Sequence, residues 1–127
     1  MKDSDRSGAA NPLREKYYAF ALRIIKASQM LNRDQREYVL SNQLMRAGTP
    51  IGANIAEAAH AQSKPDFVSK LSIALKECVK TEYWISLLRD SGNFTEPQAA
   101  SLLADCTEIK AMLIAAVKTA KRRMGDN

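Results

Sequence analysis

Between Ser41 and His60 the chain reads SNQLMRAGTPIGANIAEAAH, and Gly48, Gly52, Ala56 and Ala59 recur in it at spacings of three and four. On a helix that spacing collects the small residues into one stripe, against which a second helix can close to short range. Leu44, Ile51 and Ile55 flank the stripe and fill the space beside it. Nowhere in the chain does a period-two alternation rich in branched residues stand between turns, so strands are not expected. The chain is therefore restricted to helices packed on helices, with close packing assigned to Gly48, Gly52 and Ala56. This run specifies packing and carries no chemistry of its own.

The remainder divides into helices by punctuation and rhythm. Residues 1–11 are polar, charged and glycine-containing, and are expected to form a mobile tail. Asn11 is placed as a cap and Pro12 at the first helical position, where a missing N–H costs nothing. Leu13, Tyr17, Phe20, Ile24, Ala27 and Leu31 then alternate four and three apart, the seam of a bundle helix expected to end near Asn32. Asp34 or a neighbour caps the second helix, which runs through Tyr38, Leu40 and Leu44 into the central stretch. Gly48 followed by Thr49-Pro50 leaves two readings open, one kinked helix to about Ala61 or two pieces in tandem.

Ser63-Lys-Pro-Asp66 reads as a capping box with aspartate in place of glutamate, opening a third helix from about Lys64 to Asp90. Its seam is Phe67, Leu71, Ala74, Cys78, Thr81, Ile85 and Leu88. Ser91-Gly92-Asn93 stops it, and Thr95-Glu-Pro-Gln98 opens a fourth helix with seam Leu102, Cys106, Ile109, Leu113, Ala116 and Ala120. Four helices of roughly 20 to 28 residues joined by short turns make an all-α, up-down-up-down four-helix bundle over 12–123, with 124–127 a short tail.

Length and composition bound the class. A chain of 127 residues is one domain, able to bury about two-thirds of its unfolded surface in a single core. The longest apolar run, Ala111 to Val117, is far short of the roughly 18 residues needed to span a bilayer. The first residues have no apolar core resembling a secretory signal, so no membrane role and a cytoplasmic location are expected. Cys78 and Cys106 fall on core seams, lack CxxC spacing and share the chain with one histidine, which offers neither a zinc nor a redox motif. Net charge is +5 with a pI near 9.4, a moderate excess that favours polyanions.

The order Asn42-Gln-Leu-x-Arg46-x-Gly48-Thr49-x-Ile51-Gly-Ala-Asn54-Ile55-x-Glu57-Ala58, then Ser63-Lys-x-Asp66-Phe67 and Leu71-Ser-Ile-Ala-Leu75, resembles the four-helix-bundle proteins encoded by intervening sequences in bacterial 23S ribosomal RNA genes. The likeness covers nearly all the chain after the first dozen residues. It implies a homo-oligomeric ring, typically a homopentamer, and a continuous second helix. Pro50 departs from the family, which usually carries a small polar residue there. Proteins related in fold include basic accessory factors of diversity-generating retroelements that bind nucleic acid and a reverse transcriptase. The ribosomal-RNA members themselves have no well-defined role.

The third helix carries more apolar surface than one seam needs. Ile73, Trp84 and Leu87 lie on a second line, and Val79 and Tyr83 lie away from the seam. An outer face of this kind calls for burial against something else, most economically a second copy, and these five residues are assigned to an oligomer interface.

Several constellations bear on chemistry. Glu57-Ala-Ala-His60 has the Glu-x-x-His spacing of a carboxylate-bridged di-iron site, but that site needs a second histidine and more carboxylates. Glu57 and Glu82 are expected to be partly buried and matched to Arg46, Arg23 or tyrosine hydroxyls. No glycine-rich phosphate loop, nucleophile–base pair or metal cluster is legible, so no enzyme activity, cofactor or metal is expected. Lys118, Lys121, Arg122 and Arg123, with Lys76 and Lys80 on helix three and Trp84 one turn on, form the candidate nucleic-acid-binding set. Cations at a helix C-terminus also simply favour its dipole. The expected function is thus a non-enzymatic, self-associating bundle that binds RNA or DNA. The alternative is an adaptor for a protein partner in which the charge is incidental.

Overall fold

The computed structural model describes residues 12–125, and it contains four helices and no strand among them. They are α1 (Pro12–Gln35), α2 (Val39–Ala58), α3 (Lys64–Asp90) and α4 (Glu96–Arg123). The N-terminal tail expected over residues 1–11, including Asn11 as a cap, lies outside the described residues, as do Asp126 and Asn127.

Helix α1 runs three residues beyond the expected Asn32 and is stopped at Arg36, whose φ of 53° lies in the left-handed region. The Glu37 N–H then donates to the Leu31 carbonyl at 3.0 Å, closing the turn. Its buried positions are Phe20, Ile24, Ser28 and Leu31, so Ser28 takes the place expected of Ala27. The Ser28 hydroxyl is satisfied there by donating to the Ser41 carbonyl at 3.3 Å, which is what a buried polar group requires.

Helix α2 is not capped by Asp34, which lies in the last turn of α1 and pairs with Arg33. Tyr38 stands at the cap position without a side-chain bond. The Glu37 carboxylate serves instead, accepting from the Leu40 N–H at 3.0 Å and the Ser41 N–H at 2.8 Å. Despite Pro50 the helix is a single piece. Leu44, Ile51 and Ile55 on either side of the proline are all buried, and only an unbroken helical phase keeps them on one face. The Thr49 hydroxyl donates to the Met45 carbonyl and the Asn54 amide to the Pro50 carbonyl, which ties the backbone around the missing donor.

Ser63 caps α3 by accepting from the Asp66 N–H, while Asp66 reaches back to the Gln62 N–H rather than to the cap residue itself. Thr95 and Gln98 form the reciprocal capping box of α4. Gly92, with φ 86°, makes the intervening turn. Gln35 and Asn93 then bond each other across that end of the molecule.

Each helix packs on its two neighbours in the ring α1–α2–α3–α4, and the diagonal pairs do not approach closely along their backbones, which is the geometry of a four-helix bundle. The core is continuous, from Phe20, Ile24 and Leu44 through Leu71, Cys78 and Ile85 to Leu102, Ile109 and Leu113. The α1–α4 seam is the most lightly packed. It is bridged by charge, with Lys16 on Glu108 at 3.0 Å and Arg23 on Asp105 at 2.6 Å, the latter guanidinium also reaching Ser101.

The small-residue stripe is shorter than expected. Gly48 and Gly52 are buried against α1, where an added Cβ would lie 2.9 Å from Ile24 Cγ1 and 2.6 Å from Tyr17 Cδ1 respectively. Ala56 and Ala59 are exposed, so Ala56 takes no part in close packing within the chain. Along the stripe, α1 is met at Gly48 by Ile24 and at Gly52 by Tyr17, and Ala56 stands one turn beyond those contacts.

Candidate functional site

Consecutive helices packed side by side through short turns run antiparallel, so the last turns of α4 share one end of the bundle with the first half of α3. There Lys76 from α3 and Lys118 and Lys121 from α4 meet around a groove of about 420 Å3, completed by Ser72, Leu75, Ile114 and Val117. No carboxylate lines it, and none of the three lysines has an acidic partner among the described residues. The reason is written in the chain: from Ile109 to Gly125 there is no Asp or Glu. The lysines come from both of the helices that border the groove, and Leu75, Ile114 and Val117 give it an apolar lining.

The other predicted cations are placed differently. Arg123 turns to a separate groove at the α2–α3 connection, lined also by Ala58, Lys64, Phe67 and Ala120. Arg122 is exposed and lines neither groove. Lys80 is exposed on α3, but its Nζ lies 3.4 Å from Glu77 Oε1, an oxygen that is buried and has no hydrogen bond. It is therefore partly committed within the chain.

On the outer face of α3, Ile73, Val79 and Tyr83 are exposed at 39%, 53% and 57%. Trp84 and Leu87 are half-buried, and Trp84 packs against the core. The Tyr83 ring meets it edge-on, with centroids 5.0 Å apart and planes at 69°. Trp84 is thus no free platform for a base, because it is half-buried and packs against the core. Ile114 on α4 and Tyr18 and Leu22 on α1 are also exposed and were not singled out from the sequence. The signal for Ile114 lay in the run Ala111–Val117, which is wider than one seam.

The two acidic residues are matched to lysines rather than arginines or tyrosines. Glu57 accepts from Lys70 at 2.9 Å, and Glu82 from Lys110 at 2.9 Å with Thr107 beside it at 3.3 Å. Arg23 is engaged by Asp105 on the opposite seam, and Arg46 is exposed. The hydrogen bonds raise the affinity of Lys70 and Lys110 for their protons. His60 is exposed and shares a groove with Glu57, Asp66 and Lys70. Among the described residues no three His, Cys, Asp or Glu side chains gather as a metal site would require, and no helix is long and apolar enough to cross a membrane. Cys106 donates to the Cys78 carbonyl at 3.5 Å, and hydrogen bonding to the Cys78 thiol together with burial pushes its thiol up, far from reactive thiolate.

A family model described as 23S rRNA-intervening sequence protein matches residues 12–115. The chain is also similar to a crystal structure of a protein with unknown function from the S23 ribosomal protein family of Bacteroides thetaiotaomicron VPI-5482. The two share 46% identity at a TM-score of 0.83, over 84% of this chain and 98% of that one. No curated protein matches the chain.

Proposed function

Because the chain belongs to the 23S rRNA-intervening sequence protein family, we propose that it acts without catalysis, as a self-associating four-helix bundle that binds RNA or DNA through its basic end. One observation carries this reading. Lys76, Lys118 and Lys121, from two helices, converge on one groove with no carboxylate to neutralise them. Cations left unpaired in this way release counterions when they meet phosphates, which is the main source of affinity for nucleic acid. Arg122, Arg123 and Lys64 extend the positive end around it. Copies arranged side by side would repeat the groove and multiply weak contacts.

The test is binding to a structured RNA and to duplex DNA of equal length across a salt series. The affinity is expected to fall steeply with salt, and Lys118→Gln with Lys121→Gln to flatten the logarithmic slope by about 2, roughly one per phosphate contact removed. Absence of binding at low salt by well-folded protein would sink the proposal. The second reading, an adaptor for a protein partner, is favoured by the exposed apolar face of Ile73, Val79 and Tyr83. Partner binding that persists in high salt and survives loss of both lysines would select it.

A further inference from the structure

Resting on that reading, we infer that the groove between α3 and α4 takes a single strand of nucleic acid, with its phosphates on the lysines and its bases on the apolar lining, in preference to a duplex. The preference comes from the lining rather than the charge. A duplex stacks its bases inward and offers an approaching protein only phosphates, sugars and hydrated groove edges, a surface best met by cations and polar groups alone. Against such a surface the side chains of Leu75, Ile114 and Val117 would give up water without gaining apolar contact. A single strand carries both chemistries at once, charged backbone and unstacked faces.

The groove offers the matching pair. Lys76 comes from α3, and Lys118 and Lys121, one helical turn apart, come from α4. Ile114 lines the groove and is 46% exposed, so a base can reach it without any rearrangement of the bundle. At about 420 Å3 the groove falls in the range, roughly 300–1,000 Å3, that accommodates small-molecule-sized groups such as one or two nucleotides.

The experiment compares one sequence as single strand and as duplex, at fixed salt, on the full chain and on two variants at exposed positions, with helical circular dichroism as the folding control. The single strand is expected to bind roughly fivefold or more tightly, the lower bound set by one base packed on a side chain. Ile114→Ser is expected to remove most of that preference while leaving duplex binding and the salt slope unchanged. Lys118→Gln is expected to weaken both forms alike. Equal binding of the two forms, or an Ile114→Ser variant that keeps the preference, overturns the single-strand assignment while leaving the proposed function standing. Failure to bind either form overturns both. An acidic amphipathic peptide that binds the groove when neither nucleic acid does would assign it to a protein partner instead, and overturns both as well.

Discussion

Gly48 and Gly52 differ in what an added methyl group would meet, and the difference sets a ranking that proximity alone gets backwards. A Cβ at Gly52 comes closer to its neighbour, 2.6 Å from the Tyr17 ring, but that ring is only half-buried and can swing toward solvent. A Cβ at Gly48 meets three atoms of Ile24 between 2.9 and 3.2 Å, and Ile24 is wholly buried with a stiff, branched side chain. Alanine gains about 1 kcal/mol over glycine in helix propensity, against an overpacking cost of about 1–3 kcal/mol. Gly48→Ala is therefore expected to lose about 2 kcal/mol and Gly52→Ala about 1 kcal/mol or less, which urea denaturation of the two variants measures. The cysteines give a second prediction at this scale. With Cys78 and Cys106 both buried and the Cys106 thiol held protonated, the native protein is expected to resist an aromatic disulfide reagent, and both thiols to react once denaturant is added.

At the scale of elements the join between α1 and α2 is the most informative. Three residues separate the helices, and one of them, Glu37, satisfies two otherwise unpaired N–H groups of α2 while its own N–H closes α1. Glu37→Ala is expected to cost about 1–2 kcal/mol, and Glu37→Gln less, since the amide keeps one acceptor oxygen. Thermal unfolding followed by circular dichroism checks the order. The sequence placed this cap at Asp34 or a neighbour because aspartate is the commoner capping residue. Local statistics could not foresee that α1 would run to Gln35 and carry Asp34 with it. Similarly, Gly48-Thr49-Pro50 has the local chemistry of a break, yet α2 continues through it because Leu44 and Ile51 must both face the same core.

For the whole molecule, the outer face of α3 is the surface on which self-association turns. Ile73, Val79 and Tyr83 interleave there with Lys80, so an interface laid over the apolar residues would also enclose that cation, whereas Lys76, Lys118 and Lys121 line the groove between α3 and α4. Under the self-association proposal, the purified protein is expected to sediment as a species several times heavier than one chain. Tyr83→Glu is expected to return it to a single chain with its helical content intact. A wild-type protein that sediments as one chain would refute the proposal. The charge layout bears on the same question, because the acids of α4 lie in its first half and its last four cations have none near them in sequence.

The number of helices, most of their seam positions, the cap at Ser63, the capping box at Thr95 and the stop at Gly92 were determined by the sequence alone, since each rests on residues within a turn or two of one another. So was the positive end of α4, which needs only the absence of acids over a stretch of chain. What the tertiary structure decided was every pairing across helices: Glu57 with Lys70, Glu82 with Lys110, Arg23 with Asp105, and the meeting of Lys76 with Lys118 and Lys121 around an apolar lining. Those depend on the rotation and axial offset of one helix against its neighbour. That relation is set by how Gly48, Gly52 and the core side chains interlock, and no spacing within a single helix encodes it.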